Sequence, residues 1–248
     1  MTVPFSTKYI KAVLQHRFGI LFTNPKHNFH NIRNLVLKSY HFDLIIDVGA
    51  NQGQWLSEVM PSIEEACVFA FEPLSPPFAI LEQNFRSEKV HPVQIALGSK
   101  EETLEMFVAS NNGQSSSFMR PTAHLSIHPD VKFSTREEVE VITLDNFLAQ
   151  ESLESQSIYL KIDAQGTEWN VLNGAKATLE RVNAIEIESC MSPEYEGEVT
   201  HHKLISSLLD IGFIYFTGQP PRVDRLGRQW DLNSILVRRE VLERIQNN

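Results

Sequence analysis

Asp47-Val-Gly-Ala-Asn-Gln-Gly-Gln-Trp55, entered from the apolar run Leu44-Ile-Ile46, decides how this chain folds. An apolar, β-branched run that meets glycine and then gives way to Gln54-Trp-Leu56 predicts a buried strand, a tight turn and a helix start. Glycines at 49 and 53 leave room for backbone N–H groups to close on a ligand that a Cβ would push away. A second run, Cys67-Val-Phe-Ala-Phe71, ends in Glu72, and Pro73 stops it. An acidic residue at the tip of the next strand, about 20 residues beyond the glycines, is placed to take both hydroxyls of a ribose. The segment predicts a nucleoside-binding α/β unit.

The turn reads Gly49-Ala-Asn-Gln-Gly53. A dinucleotide fold needs G-x-G-x-x-G, whose middle glycine lets the pyrophosphate reach the backbone. Here Ala50 and Asn51 fill that space. Asp47 stands just before the first glycine, where a carboxylate favours a cationic or ammonium-bearing ligand and repels a pyrophosphate. S-adenosyl-L-methionine carries a sulfonium, an amino group and a ribose but no phosphate, so it is the cofactor expected, ahead of NAD or FAD. Asp47, Gly49, Ala50, Asn51, Gly53, Glu72 and Pro73 are its expected contacts.

At 248 residues the chain fits one domain of ordinary α/β size. No apolar run reaches the length of a membrane span and no cleavable leader is visible near Met1, so a cytoplasmic location is expected. Cys67 and Cys190 fall in predicted strands and read as reduced core thiols. The net charge of −9 is unevenly spread: residues 1–40 hold six of the 22 basic residues and none of the 31 acidic ones. The acidic remainder is a poor surface for nucleic acid, which argues against a DNA or RNA substrate. The basic extension has Ile10, Val13, Leu14 and Phe18 at helical spacing. It could touch an anionic membrane peripherally or pack on the domain or a second copy of the chain, and packing is preferred.

Strands are predicted at 44–49, 67–72, 92–97, 158–163, 184–189, 212–217 and 233–238. Helices are predicted at 54–60, 76–85, 168–180 and 201–210, with a short one at 32–39 before the first strand. This alternation implies a doubly wound, seven-stranded, mostly parallel α/β sheet. The last connection is too short and too rich in Pro and Gly for a crossover helix, so the final strand should run antiparallel. Segments 103–109 and 138–143 alternate polar and apolar, as strands of a small β insertion. The division expected is a helical N-terminal extension over 1–40 and the main domain over 41–248.

Together these segments resemble the FkbM family of S-adenosylmethionine-dependent methyltransferases, from about residue 43 to 238. The resemblance rests on Asp47–Gly53, Phe69-Ala-Phe-Glu-Pro73 with Asn84, Ala96-Leu-Gly98, Ser115-Ser116, Thr143-Leu-Asp145, Leu160-Lys-Ile-Asp-Ala-Gln-Gly-Thr-Glu168 and Val171-Leu-Asn-Gly174. The Lys-Ile-Asp-x-x-Gly-x-Glu block is its most specific part. It implies a Rossmann-like methyltransferase sheet and O-methylation of a hydroxyl on a sugar, glycolipid or related product. Ala96, Leu97 and Ser115 join the expected cofactor contacts on this basis.

A sugar hydroxyl is a weak nucleophile, so some group must take its proton as the methyl arrives. Asp163 ends the fourth main strand, as a ligand to the donor's ammonium or to substrate. Glu168, one turn into the next element, is a candidate base or a plain helix cap. Glu186 and Glu188 share one face of the fifth strand, and Glu188 at its end is the stronger catalytic candidate. His201, at a helix start, is a further candidate base; His124 and His128 in the insertion are weaker ones. No ligand cluster is local in sequence, so no metal site is assigned, although Asp163 with Glu188 could hold Mg²⁺ through oxygens. Ser115 could bond the donor or the acceptor, Trp55 and Tyr195 could stack on a sugar, and Arg222, Arg225 and Arg228 should lie near the acceptor mouth. The expected activity is O-methylation of a small-molecule or glycan acceptor. The rivals are a donor-binding but catalytically silent partner module and an NAD-linked oxidoreductase.

Overall fold

The computed structural model describes residues 28–63, 65–151, 157–223 and 227–247. The segment with Ile10, Val13, Leu14 and Phe18 at helical spacing, and Arg225, lie outside them.

The first described helix, α1 (Phe29–Ser39), leads into β1 (Leu44–Val48), and Gly53 opens α2 (Gln54–Val59). Then follow β2 (Cys67–Phe71), α3 (Ser75–Phe85), β3 (Val90–Val93), β4 (Ala96–Leu97) and β5 (Glu102–Val108). Next come α4 (His124–Ile127), β6 (Thr135–Ile142), α5 (Leu144–Gln150), β7 (Ile158–Ile162) and α6 (Glu168–Asn173). The chain closes with β8 (Val182–Cys190), α7 (His201–Asp210), β9 (Ile214–Gly218), β10 (Asp231–Val237) and α8 (Arg239–Gln246).

Seven strands form the main sheet in the order β3-β2-β1-β7-β8-β10-β9. All run parallel except β10, which pairs antiparallel with both β8 and β9. The expected fold, a doubly wound α/β sheet with an antiparallel last strand, is what forms. β1 and β7 are buried along all five residues, as a sheet covered on both faces requires. One face packs Leu44, Ile46, Leu160, Ile162, Ile185 and Ile187 against α5, α6 and α7. The other packs Ile45, Tyr159, Ala184 and Ile235 beneath α1, α2 and α8. The insertion builds a second sheet, β4-β6-β5.

Three expectations need correction. The strand expected over 92–97 is two strands in different sheets. Pro92 has no N–H to donate, which an edge strand such as β3 tolerates; after a turn at Gln94-Ile95, Ala96–Leu97 pairs with Val141–Ile142 instead. The helix expected over 168–180 stops at Asn173. Gly174 lies so close to Gly98 that a Cβ would sit 1.9 Å from its carbonyl oxygen. Asp145 then holds the following turn by accepting from Ala177 N, Thr178 N and Thr178 Oγ1. Finally, α8 was not expected: it is rich in charge, and only a narrow stripe, Val241 with Leu242 and Ile245, reaches the core.

Candidate active site

The carboxyl ends of β1, β2, β7 and β8 open on a cavity of about 730 Å³, roofed by the insertion and by the segment after β8. Open α/β sheets bind ligands at this edge. One end is lined by Gly49, Ala50, Asn51, Glu72, Pro73, Ala96 and Leu97, the other by Glu188, His124, Glu194, Tyr195 and Arg222, and Asp163, which adjoins Gly49, stands between them.

At the first end Glu72 is 5% exposed. Its Oε2 accepts the Asn51 N–H at 2.9 Å and its Oε1 accepts that of Leu74 at 2.8 Å. Burial pushes its carboxyl up to about 7, while those two amides pull the other way. Asn51 adopts the left-handed region, φ +48°, which Asn tolerates better than most residues; its side chain reaches Asn112 O at 3.0 Å.

The glycines also serve the packing of the sheet and helices. A Cβ at Gly49 would stand 1.9 Å from the carbonyl oxygen of Asp163, and one at Gly53 would stand 2.2 Å from the Phe85 ring. Both have positive φ. They let β1 approach β7 and α2 approach α3, and Gly53 does not line the cavity. Asp47 does not line it either. It is fully buried, one residue pair across the parallel register from Lys161, whose Nζ is 3.0 Å from Asp47 Oδ1. The cation this carboxylate meets is internal. Lys161 Nζ also donates to Gly49 O at 3.2 Å and lies 3.8 Å from Asp163 Oδ2, tying the turn to the end of β7. Burial would lower the Lys161 pKa, but the Asp47 and Asp163 carboxylates raise it overall.

Toward the other end Asp163 and Glu188 share one amide. Gln165 Nε2 donates to Asp163 Oδ1 at 2.7 Å and to Glu188 Oε2 at 2.8 Å. Gln165 sits at φ +49°, and the Tyr195 hydroxyl donates to Ser115 O at 2.9 Å and to Gln165 Oε1 at 3.3 Å. Burial, then the adjacent Asp163 carboxylate, push the Glu188 carboxyl well above its usual range. Arg222 forks onto Asp231 and reaches Glu188 Oε1 at 3.4 Å. It is therefore a paired cation of the cavity wall. Arg228 lies over the Trp230 ring, 4.9 Å from its centroid.

Glu168 is 3% exposed. Its Oε1 accepts from Ala164 N at 2.9 Å and Gly166 N at 3.2 Å, clamping the turn that carries Asp163 and Gln165. Burial pushes its carboxyl up to about 8. Ser115 lines the cavity, with Oγ accepting from Asn111 Nδ2 at 2.9 Å. His201 does not line it; its Nδ1 lies 2.8 Å from Ser189 Oγ. That placement removes it from the acid–base groups of the cavity. Trp55 is no free stacking surface: its Nε1 donates to Glu186 Oε2 at 3.1 Å, and its ring stacks on Tyr159 at 6.0 Å.

Sequence reasoning missed Lys161, Gln165, Arg33 and Glu194 as parts of the cavity wall. Lys161 carried a usable signal, because a lone lysine in one buried strand and a lone aspartate in another must pair. Arg33 of α1, 3% exposed, bonds Glu58 at 2.6 Å and lies 3.5 Å from the buried Glu186. So α1, from outside the region of resemblance, supplies the counter-charge for the central strand.

Residues 47–215 match the family model of the methyltransferase FkbM domain. The 2-O-methyltransferase NoeI of Sinorhizobium fredii (strain NBRC 101917 / NGR234) is 26% identical over 172 residues, covering 66% of this chain and 70% of that protein. The crystal structure of methyltransferase FkbM from Methylobacillus flagellatus KT superposes with a TM-score of 0.50 at 15% identity. It covers 91% of this chain and 47% of that one, so this chain spans about half the length of that protein.

Proposed function

Because the chain belongs to the FkbM methyltransferase family, we propose that it moves a methyl group from S-adenosyl-L-methionine to a hydroxyl of a sugar, glycolipid or related glycoside. The observation that carries this reading is the carboxylate pair Asp163–Glu188, bridged by Gln165 in the same cavity as Glu72 and the Gly49–Asn51 turn.

The residues present suit the donor. Each Glu72 oxygen accepts one backbone N–H and keeps capacity for a second donor, which the two hydroxyls of a ribose would supply. Asp163, 32% exposed, offers a carboxylate to an ammonium group. When bound, S-adenosyl-L-methionine supplies a methyl group on a positively charged sulfur.

The chain's own residues then have two tasks. Alignment of the acceptor oxygen falls to the rigid ends of β7 and β8, and positioning of this kind supplies much of the rate in a displacement. The hydroxyl proton leaves as the oxygen becomes a nucleophile, and a carboxylate oxygen of the Asp163–Glu188 pair receives it. Gln165 holds both side chains at one point by donating to each, and the carboxylate that takes the proton later releases it to solvent. Glu168 and Tyr195 are positioning residues that hold Gln165 and its turn. NoeI is a 2-O-methyltransferase by name, which makes an acceptor oxygen the atom to test.

Methyl-labelled S-adenosyl-L-methionine should be incubated with the protein and a panel of glycosides, and products fragmented in a mass spectrometer. Label on one hydroxyl oxygen is the expected result. Donor binding with no transfer across the panel would favour the silent module, and label on nitrogen or carbon would overturn O-methylation.

A further inference from the structure

We propose that His124, His128 and Glu194 form a binding site for one first-row divalent transition-metal ion at the acceptor end of the cavity. Each residue offers one ligand atom, and these atoms lie within 4.8 Å of one another. All three residues line the cavity. His124 and His128 stand four positions apart, so one turn brings both rings to the same side, with centroids 4.7 Å apart. Glu194 arrives from the segment after β8 and puts its Oε2 3.9 Å from His128 Nε2.

Backbone bonds fix this approach before any ion arrives. The Glu194 carbonyl accepts the N–H groups of Thr122 at 2.9 Å and His124 at 3.2 Å, and also the Thr122 hydroxyl at 2.9 Å. Glu196 N–H donates to Arg120 O at 2.9 Å. The loop of the insertion is thus laced to the chain after β8 at the point where the three ligands meet. A second observation points to a ligand. His124 is 2% exposed, yet its Nδ1 finds no hydrogen-bond partner among the described residues. Buried polar atoms are normally satisfied, and one that is not calls for an explanation such as an ion.

The donor set selects the ion. Two imidazoles and one carboxylate suit Zn²⁺, Co²⁺, Mn²⁺ or Fe²⁺, whereas Mg²⁺ and Ca²⁺ prefer all-oxygen shells. Arg222 is the opposing charge nearby, and Asp231 already neutralises it. Bonds of about 2.0–2.2 Å need ligand atoms roughly 3–3.5 Å apart, so the side chains close by about an ångström on binding. Three protein ligands leave coordination positions open, as catalytic sites do. Those positions would hold acceptor oxygens in the cavity that contains Glu188. That role rests on the reading of the cavity as a hydroxyl methyltransferase; ion binding itself does not.

The test uses the full chain, dialysed against a chelator, without donor or acceptor. Titration with Co²⁺ should saturate at one equivalent with a visible d–d band. Zn²⁺ should displace it, and Mg²⁺ should bind at least about 100-fold more weakly. His128→Gln, at the more exposed ligand, should weaken Co²⁺ binding at least about 10-fold, and His124→Ala with His128→Ala should abolish it. Calorimetric binding of S-adenosyl-L-methionine, run in parallel, should be unchanged in His128→Gln. It reports on folding and on the donor site independently of the metal. Absence of saturable Co²⁺ binding, or wild-type affinity in a folded His128→Gln variant, would overturn the proposal. Loss of donor binding with intact metal binding would instead count against the methyltransferase reading alone.

Discussion

At the proposed donor end of the cavity, backbone makes the site: two amides aim Glu72, and three consecutive residues of one turn line the wall. At the proposed acceptor end, side chains make it. Gln165 comes from the turn after β7, Glu188 from β8, Tyr195 and Glu194 from the chain beyond it, His124 and His128 from the insertion, and Arg222 from the last hairpin. A site made of backbone needs only a short motif and the sheet that presents it. A site made of side chains from five separate segments changes whenever one of those segments does. The first arrangement suits a ligand that stays the same across a family, and the second suits an acceptor that varies.

The sharpest way to break this division is to change one residue at each end. Glu188→Gln keeps shape and hydrogen-bonding size but cannot take a proton. Turnover should fall by roughly 100-fold or more, while donor affinity measured by calorimetry should stay within about twofold. Equal damage to both would mean that the two ends are one site and that Glu188 serves the donor.

Glu72→Ala should show the reverse pattern. Removal of a charged hydrogen-bond partner costs about 1.5–3 kcal/mol, which is roughly 10-fold to 150-fold in donor affinity. There is also a pH signature. The Glu72 carboxyl titrates near 7 in the protein without donor, and its protonated form offers fewer acceptor positions to a ribose. Donor affinity should therefore weaken as pH falls through about 7 in the wild type and lose that dependence in the variant. A pH-independent wild-type affinity would separate Glu72 from the ribose.

The same division explains what could be read in the sequence. Residues 44–73 announced two strands, the turn and the acid at the tip, because each signal is local: an apolar run, a glycine, a proline. The antiparallel last strand was legible from a connection too short for a helix. The reasons for Gly49 and Gly53 were not, since they lie in what packs against them, Asp163 and Phe85, far away in sequence. Asp47 misled for a related reason. Its partner Lys161 is 114 positions away and meets it only through strand register. Asp163 and Glu188 were legible as residues of the cavity wall because they stand at or near the ends of central strands. Gln165, which joins them, has a side chain with no titratable signature, and the meeting of His124 with Glu194 depends on the long return of the insertion.

Stability should carry the smallest signal, and it too distinguishes two buried carboxyls with different surroundings. Glu168 and Glu72 both titrate above their ordinary value, at about 8 and about 7. A carboxyl whose pKa is raised by folding adds stability that is complete below its unfolded value of 4.5 and disappears as pH rises through the folded value. Between pH 6.5 and 8.5 acidification should therefore stabilise the chain through these two carboxyls, and the lowered pKa of His124, His128 and His201 opposes this only at the lower end of the window. Linkage gives roughly 2 kcal/mol from Glu168 and roughly 1 kcal/mol from Glu72 across that window, or several degrees in Tm for a chain of this size. Glu168→Gln, which can still accept from Ala164 and Gly166, should flatten the profile more than Glu72→Gln does. Thermal unfolding in chelator-containing buffers at the two pH values is the measurement. A wild-type Tm that rises from pH 6.5 to 8.5 would mean that Glu168 is ionised in the fold, and would return it to the list of candidate bases.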